Sequence, residues 1–168
     1  MLNHTMFSQR CITVLCVAVL LLACHLPAHA ARGAINISSI AEMEIEAVNE
    51  DGEKELKRIP VETAVPGDEI IYTTTFENII NKPAGNIAIT NPVPNDTTFR
   101  RADGANTDIN FSVDGGKQYA SADKLSVKTQ QGNNRAAVPA DYTHVRWFYK
   151  GELGVGETSE VSFRAVIK

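Results

Sequence analysis

Beyond residue 24 the chain has no cysteine, and beyond residue 29 it has a single histidine, His144. These two scarcities remove most side-chain chemistry. Without a thiol there is no disulfide, no cysteine nucleophile and no thiolate ligand. A zinc site needs about three nitrogen or sulfur ligands, which one histidine cannot supply. A nucleophilic triad needs a base beside a hydroxyl and an acid to orient it, and no Gly-x-Ser-x-Gly occurs; His144 therefore reads as a strand histidine. Gly115-Gly116 and Gly154-Val155-Gly156 lack the Lys-Ser/Thr partner and the following helix of a phosphate loop. Positive charge is sparse as well: 16 Lys and Arg stand against 20 Asp and Glu, a net charge of −4. The cations are scattered, so neither nucleic acid nor an anionic membrane surface is an expected partner. After residue 30 there is no helical period, no heptad and no internal repeat.

What is present begins with a leader. Arg10 precedes an apolar run from Cys11 to Cys24, and His25-Leu26-Pro27-Ala28-His29-Ala30 ends in a small-x-small site. That order is a secretory signal peptide over residues 1–30, cut after Ala30. The run is shorter than the ~18–20 residues of a spanning helix, so no transmembrane segment is expected after cleavage. Leu21-Leu22-Ala23-Cys24 is an alternative, lipobox-like site that would place a lipid anchor on Cys24, although Leu22 is uncommon at its position. Export to the periplasm, the outer envelope or the extracellular space follows from either reading. Residues 31–168 are then a single domain. With the cut after Ala30, all three cysteines leave with the leader, and a thiol-free chain suits an oxidising compartment.

From Ile35 onward the apolar residues recur with period two. Met43, Ile45 and Ala47 alternate with Glu42, Glu44 and Glu46, which read as a solvated edge that discourages aggregation. Asn49-Glu50-Asp51-Gly52 is a hairpin turn. Val65-Pro66-Gly67-Asp68 places Pro and Gly at the centre of a type II turn. Glu69 to Glu77 then puts Ile70, Tyr72, Thr74 and Phe76 on one face and Ile71, Thr73 and Thr75 on the other, the strongest strand signal in the chain. Ile87 and Ile89 follow a loop, and Pro92 and Pro94 stop that ladder. Short strands are expected at Thr97–Arg100, around Ile109–Val113 and at Leu125–Val127. Longer ones follow at Tyr142–Tyr149, with Val145 and Trp147 inward, and at Val161–Ile167. Ala102–Asn110 reads as a turn-rich loop. Seven to eight short strands with regular turn signals make an all-β antiparallel sandwich.

The order of these pieces resembles the bacterial "domain of unknown function eleven", or conserved-repeat domain, of secreted and cell-surface proteins. The resemblance is carried by Val65-Pro66-Gly67-Asp68 with Ile70, Tyr72, Thr74, Phe76 and Asn78, by Asn86-Ile87-Ala88-Ile89-Thr90, and by Pro92-Val93-Pro94. It continues through Thr97 and Phe99, Ser112-Val113-Asp114-Gly115-Gly116, His144-Val145-Arg146-Trp147, and Leu153 with Gly156-Glu157. It spans roughly residues 37–168. The resemblance implies an immunoglobulin-like sandwich that serves as a building block of envelope proteins, with no established catalysis. Two departures stand out: the chain carries one copy where relatives often carry tandem copies, and Asn91 stands where relatives often have Asp.

A few side chains suggest binding. Asp103, Asn106, Asp108 and Asp114 offer oxygen ligands for calcium, but their spacing is not that of a calcium loop, and Asp, Asn and Gly are also what turns require. Trp147 is a candidate sugar platform, with the sandwich core as its simpler home; Tyr119, Tyr142, Phe148 and Tyr149 are further outward candidates. No catalytic residue, cofactor or metal is assigned. The expectation is an exported, non-enzymatic module with a structural or protein-contact role in the bacterial envelope or surface. It would act by strand addition or through the loops at Asn78–Gly85, Ala102–Asn110 and Gln130–Ala140. The alternative is a carbohydrate- or ligand-binding accessory module.

Overall fold

A computed structural model describes residues 33–168. The expected signal peptide, the Ala30 site and the three cysteines, Cys24 included, lie outside the described residues. Twelve β-segments follow one another: β1 (Ile35–Val48), β2 (Lys54–Pro60), β3 (Glu69–Asn78), β4 (Ala84–Gly85), β5 (Ala88–Pro92), β6 (Thr97–Gly104), β7 (Thr107–Ser112), β8 (Ser126–Lys128), β9 (Asn134–Ala136), β10 (His144–Tyr149), β11 (Glu152–Leu153) and β12 (Thr158–Ile167). The only helical pieces among the described residues are two single 3-10 turns, at Ala122–Lys124 and Pro139–Asp141. No helix there is long and apolar enough to cross a membrane.

Two sheets pack face to face. One has five strands in the order β2-β1-β3-β12-β6, the other three in the order β5-β10-β7. All pairings are antiparallel, and β4-β11 and β8-β9 form two small ribbons. The fold is thus the expected all-β antiparallel sandwich, with eight strands in its two main sheets. Phe76, Val161, Phe163 and Ala165 from the larger sheet meet Ile87, Ile89, Val145 and Trp147, and all are buried. Burial of each valine, isoleucine and phenylalanine among them stabilises the fold by roughly 1.5–3 kcal/mol. Trp147 is fully enclosed, and its indole N–H donates to the Asp103 carbonyl at 3.1 Å.

The turns form where the sequence signals them. Gly52 and Gly67 both have positive φ, 82° and 101°. The Asp68 N–H donates to the Val65 carbonyl at 3.0 Å, closing the Pro66-Gly67 turn. Ile71 and Thr73, on the face of β3 away from the core, are also buried. β3 lies between β1 and β12, and the Arg164 side chain of β12 crosses it beside Ile71 to reach Glu44 on β1. Two expectations need correction. First, Ala102–Asn110 is no loop. β6 runs on to Gly104, Asn106 turns the chain with φ 55°, and β7 begins at Thr107. Second, the glutamate-bearing strand β1 is not an edge, because β2 pairs outside it.

Candidate interaction surfaces

The unequal sheets leave part of the larger one uncovered. β5 lies over β3, where the Asn91 side-chain amide donates to the Thr74 hydroxyl at 2.7 Å. β5 is the last strand of its sheet, so nothing in the smaller sheet lies over β1. The exposed inner face of β1 carries Ile37, which is 53% exposed, Ser39 and Ala41. A groove of about 340 Å³ runs between Ser39–Ala41 and Asn91, Pro92 and Pro94. Its floor includes Tyr72 and Phe163, whose rings stack at 4.7 Å. Asn91 works as a neutral hydrogen-bond donor in the groove wall.

The β5 ladder to β10 fixes which backbone groups are free. The Tyr149 N–H donates to the Ile87 carbonyl and the Val93 N–H to the Thr143 carbonyl. With Phe148 opposite Ala88 and Arg146 opposite Thr90, the bonded positions are the odd ones. The N–H and C=O groups of Ala88 and Thr90 point away from β10, toward the space above β1.

A second feature is the hairpin of β1 and β2. β1 pairs with β3 over Ile35–Met43 and with β2 over Glu42–Val48, so the ribbon extends beyond β3. Its root is held by charge. Arg164 donates through both terminal nitrogens to Glu44, at 2.9 and 2.8 Å, and to Glu69 at 2.9 Å, while Arg58 approaches Glu44 at 3.4 Å. The hydrogen bonds from Arg164 bring the Glu44 carboxyl down to about 2, against an ordinary 4.5. Glu44 thus anchors the ribbon, whereas Glu46 lies on its exposed part, paired with Lys54 at 2.9 Å. The β2 edge carries Lys54, Lys57 and Pro60, which blunt it against further pairing.

The proposed calcium ligands are not brought together. The Asn106 amide donates to the Lys150 carbonyl at 2.6 Å, Asp108 pairs with the Lys150 ammonium at 2.6 Å, and Asp103 lies 3.8 Å from Arg101. Asp114 sits past the opposite end of β7 from Asp108. Its Oδ1 accepts from the backbone N–H groups of Gln118 and Lys117, both at 3.0 Å, and from the Ser112 hydroxyl at 2.7 Å, which holds its carboxyl below the usual range. No group of three or more His, Cys, Asp or Glu suited to a metal occurs among the described residues. His144 Nδ1 is 3.2 Å from the Thr143 hydroxyl, whose own proton has an acceptor in the Ser112 carbonyl at 3.1 Å.

The aromatic candidates divide. Trp147 and Tyr142 are core residues, Tyr142 stacking on Phe111 at 4.4 Å, and Tyr149 packs edge-on against Phe76. Phe148 is outward and 40% exposed. Tyr119 lies half-buried beneath Arg146, whose guanidinium carbon is 3.5 Å from the ring centroid. Of the three suggested contact loops, Asn78–Gly85 is pinned by the buried Asn78 side chain. Gln130–Ala140 is shaped by the β8-β9 turn and by a two-point ion pair from Arg135 to Asp141, at 2.6 and 2.7 Å. Sequence reasoning missed the Glu44–Arg164 anchor and the Tyr119–Arg146 stack, since both join residues far apart in the chain. No protein-family model matches the chain, and a search of curated proteins finds no significant match.

Proposed function

We propose that the chain is an exported, non-enzymatic module that makes protein contacts in the bacterial envelope or at its surface, by taking an extended partner segment onto β5. The observation that supports this reading is the mismatch of the two sheets. An added strand would pair with the free backbone groups of Ala88 and Thr90 and lay alternate side chains on Ile37, Ser39 and the Tyr72–Phe163 floor. The leader-like residues 1–30 support export, and the motif order resembling the conserved-repeat family supports an immunoglobulin-like envelope building block. The Thr143–His144 contact, with the hydroxyl proton turned to a carbonyl, supports a role without catalysis.

The test is in-cell cross-linking of a tagged chain after cell fractionation, comparing wild type with Ala88→Pro and Ile37→Glu. Proline at 88 removes an N–H that the native ladder does not use, so folding is retained. The expected result is an envelope or extracellular protein with a partner adduct that both variants lose. An adduct that survives both substitutions, or a chain retained in the cytoplasm, would overturn the reading.

A further inference from the structure

We infer that the outward face of the three-stranded sheet binds a carboxylate-bearing sugar, with Arg146 receiving the carboxylate and Phe148 stacking on the sugar ring. Arg146 projects outward from β10, the central strand. Its Nε donates to the Thr90 hydroxyl at 2.9 Å, its guanidinium lies on the Tyr119 ring, and Phe148 flanks it at 6.0 Å. Three contacts therefore fix the plane of the group. Among the described arginines, Arg58, Arg101, Arg135 and Arg164 each have a carboxylate within 4 Å, and Arg100 is simply exposed. Arg146 is the one that is held in place with no carboxylate partner, in a chain whose net charge is negative. With Nε occupied, the two terminal nitrogens remain as a planar fork, the geometry that matches a carboxylate with two parallel hydrogen bonds.

The support beneath Arg146 is built rather than incidental. Tyr119 is delivered by the turn that Asp114 ties together through three hydrogen bonds. Gly116 in that turn has φ 82°, and a Cβ there would stand 3.0 Å from the Tyr119 hydroxyl and 3.3 Å from the His144 ring. Only glycine leaves room for the tyrosine in this position.

The surroundings select the class of ligand. β10 has β5 on one side and β7 on the other, so its backbone groups are already paired. A peptide laid here would gain none of the main-chain bonds that usually carry peptide recognition. Recognition must come from side chains: the Arg146 fork, the exposed Phe148 ring, and Asn110, which sits directly opposite Arg146 on β7. An aromatic ring beside a charged fork and an amide suits a ring with an apolar face, hydroxyls and one carboxylate. With a single fork and a single exposed ring, affinity on the order of 0.1–1 mM is expected.

The site lies on the other side of β5 from the groove and does not depend on it. The test is titration of the ¹⁵N-labelled protein with trigalacturonate, with neutral galactotriose and a tetraglutamate peptide as comparisons. The expected result is saturable shifts at Tyr119, Arg146 and Phe148 with trigalacturonate, and binding at least about tenfold weaker for galactotriose, because a charge-assisted hydrogen bond is absent. Arg146→Lys, which keeps the charge and loses the fork, is expected to weaken binding about tenfold, and Phe148→Ala several-fold; the same spectra report that each variant is folded. No shifts at 10-fold above the expected range (~10 mM), equal binding of the neutral sugar, undiminished binding by Arg146→Lys, or equally tight binding of tetraglutamate would each overturn the proposal.

Discussion

Asn78 shows how much of the fold one polar side chain can hold. It is 1% exposed at the end of β3. Its side-chain amide donates to the Lys82 and Leu153 carbonyls, each at 2.8 Å, and its Oδ1 accepts from the Ile80 N–H at 3.1 Å. Its backbone bonds to Glu157 and Gly156 as well. One residue thus joins the end of β3, the following loop and the turn before β12. Removing the side chain leaves the buried Leu153 carbonyl without its partner, at a cost of about 1–3 kcal/mol. It also strips the part-buried Lys82 carbonyl and Ile80 N–H of theirs at a smaller cost, since water can reach them. Asn78→Ala is expected to lose about 3 kcal/mol in urea unfolding. Asn78→Asp is expected to be no better, because a carboxylate keeps the acceptor and loses both donors. A loss below about 0.5 kcal/mol for either would mean that water replaces these bonds.

At the scale of elements, the connections between strands decide the topology. The β6-β7 arch sends consecutive strands into different sheets, and Gly104 stands at the crossing. A Cβ there would meet the Thr107 hydroxyl at 2.8 Å and both Trp147 and Val161 at 3.0 Å. The Trp147 ring cannot yield, since it fills the core and is fixed by its bond to Asp103. Gly104→Ala is therefore expected to cost about 1–3 kcal/mol through overpacking, seen as a lower urea midpoint with an unchanged slope. Elements were legible in the sequence where one face alone is buried, as in β10 and β12, or where a turn requires glycine, as at Gly52 and Gly67. They were obscured where tertiary contacts set the pattern. In β3 both faces are covered: Ile71 faces away from the core yet is buried beside the Arg164–Glu44 bridge, and Thr73 is buried between Ile40 and Ser162, so alternation alone does not tell which face is inward. β2, with Lys54, Lys57 and Arg58, has little strand propensity and exists because the Asp51-Gly52 turn folds it back on β1. The candidate surfaces were less legible still. A free edge is a property of two sheets of different width, and the Arg146 stack joins β10 to a loop twenty-seven positions earlier in the chain.

For the molecule as a whole, the described residues hold no cysteine, and their fold depends on packing and on a few ion pairs, which makes its acid stability predictable. Four carboxyls are held below their usual range in the folded state: Glu44 by hydrogen bonds from Arg164, Asp141 by Arg135, Asp114 by the Gln118 N–H and its neighbours, and Asp123 by the Ser121 hydroxyl. In the unfolded chain they bind protons at ordinary carboxyl values, so on acidification the unfolded state takes up protons first. Their contribution is complete above about pH 4.5 and is lost as the pH falls through the folded values, which for Glu44 is about 2. The Tm is therefore expected to be level from pH 7 to pH 5 and to descend below pH 4.5. Glu44 keeps a quarter of its side-chain surface in solvent, so screening reduces its share to about 1 kcal/mol. Glu44→Gln is expected to lower the Tm at pH 7, where the wild-type pair is ionised, and to flatten the descent between pH 4.5 and pH 2, where the two proteins converge. Added salt is expected to narrow the gap at pH 7, since part of the network is open to solvent. Parallel descents for wild type and Glu44→Gln would show that the ribbon is held by its backbone ladder and that Glu44 contributes nothing to acid stability.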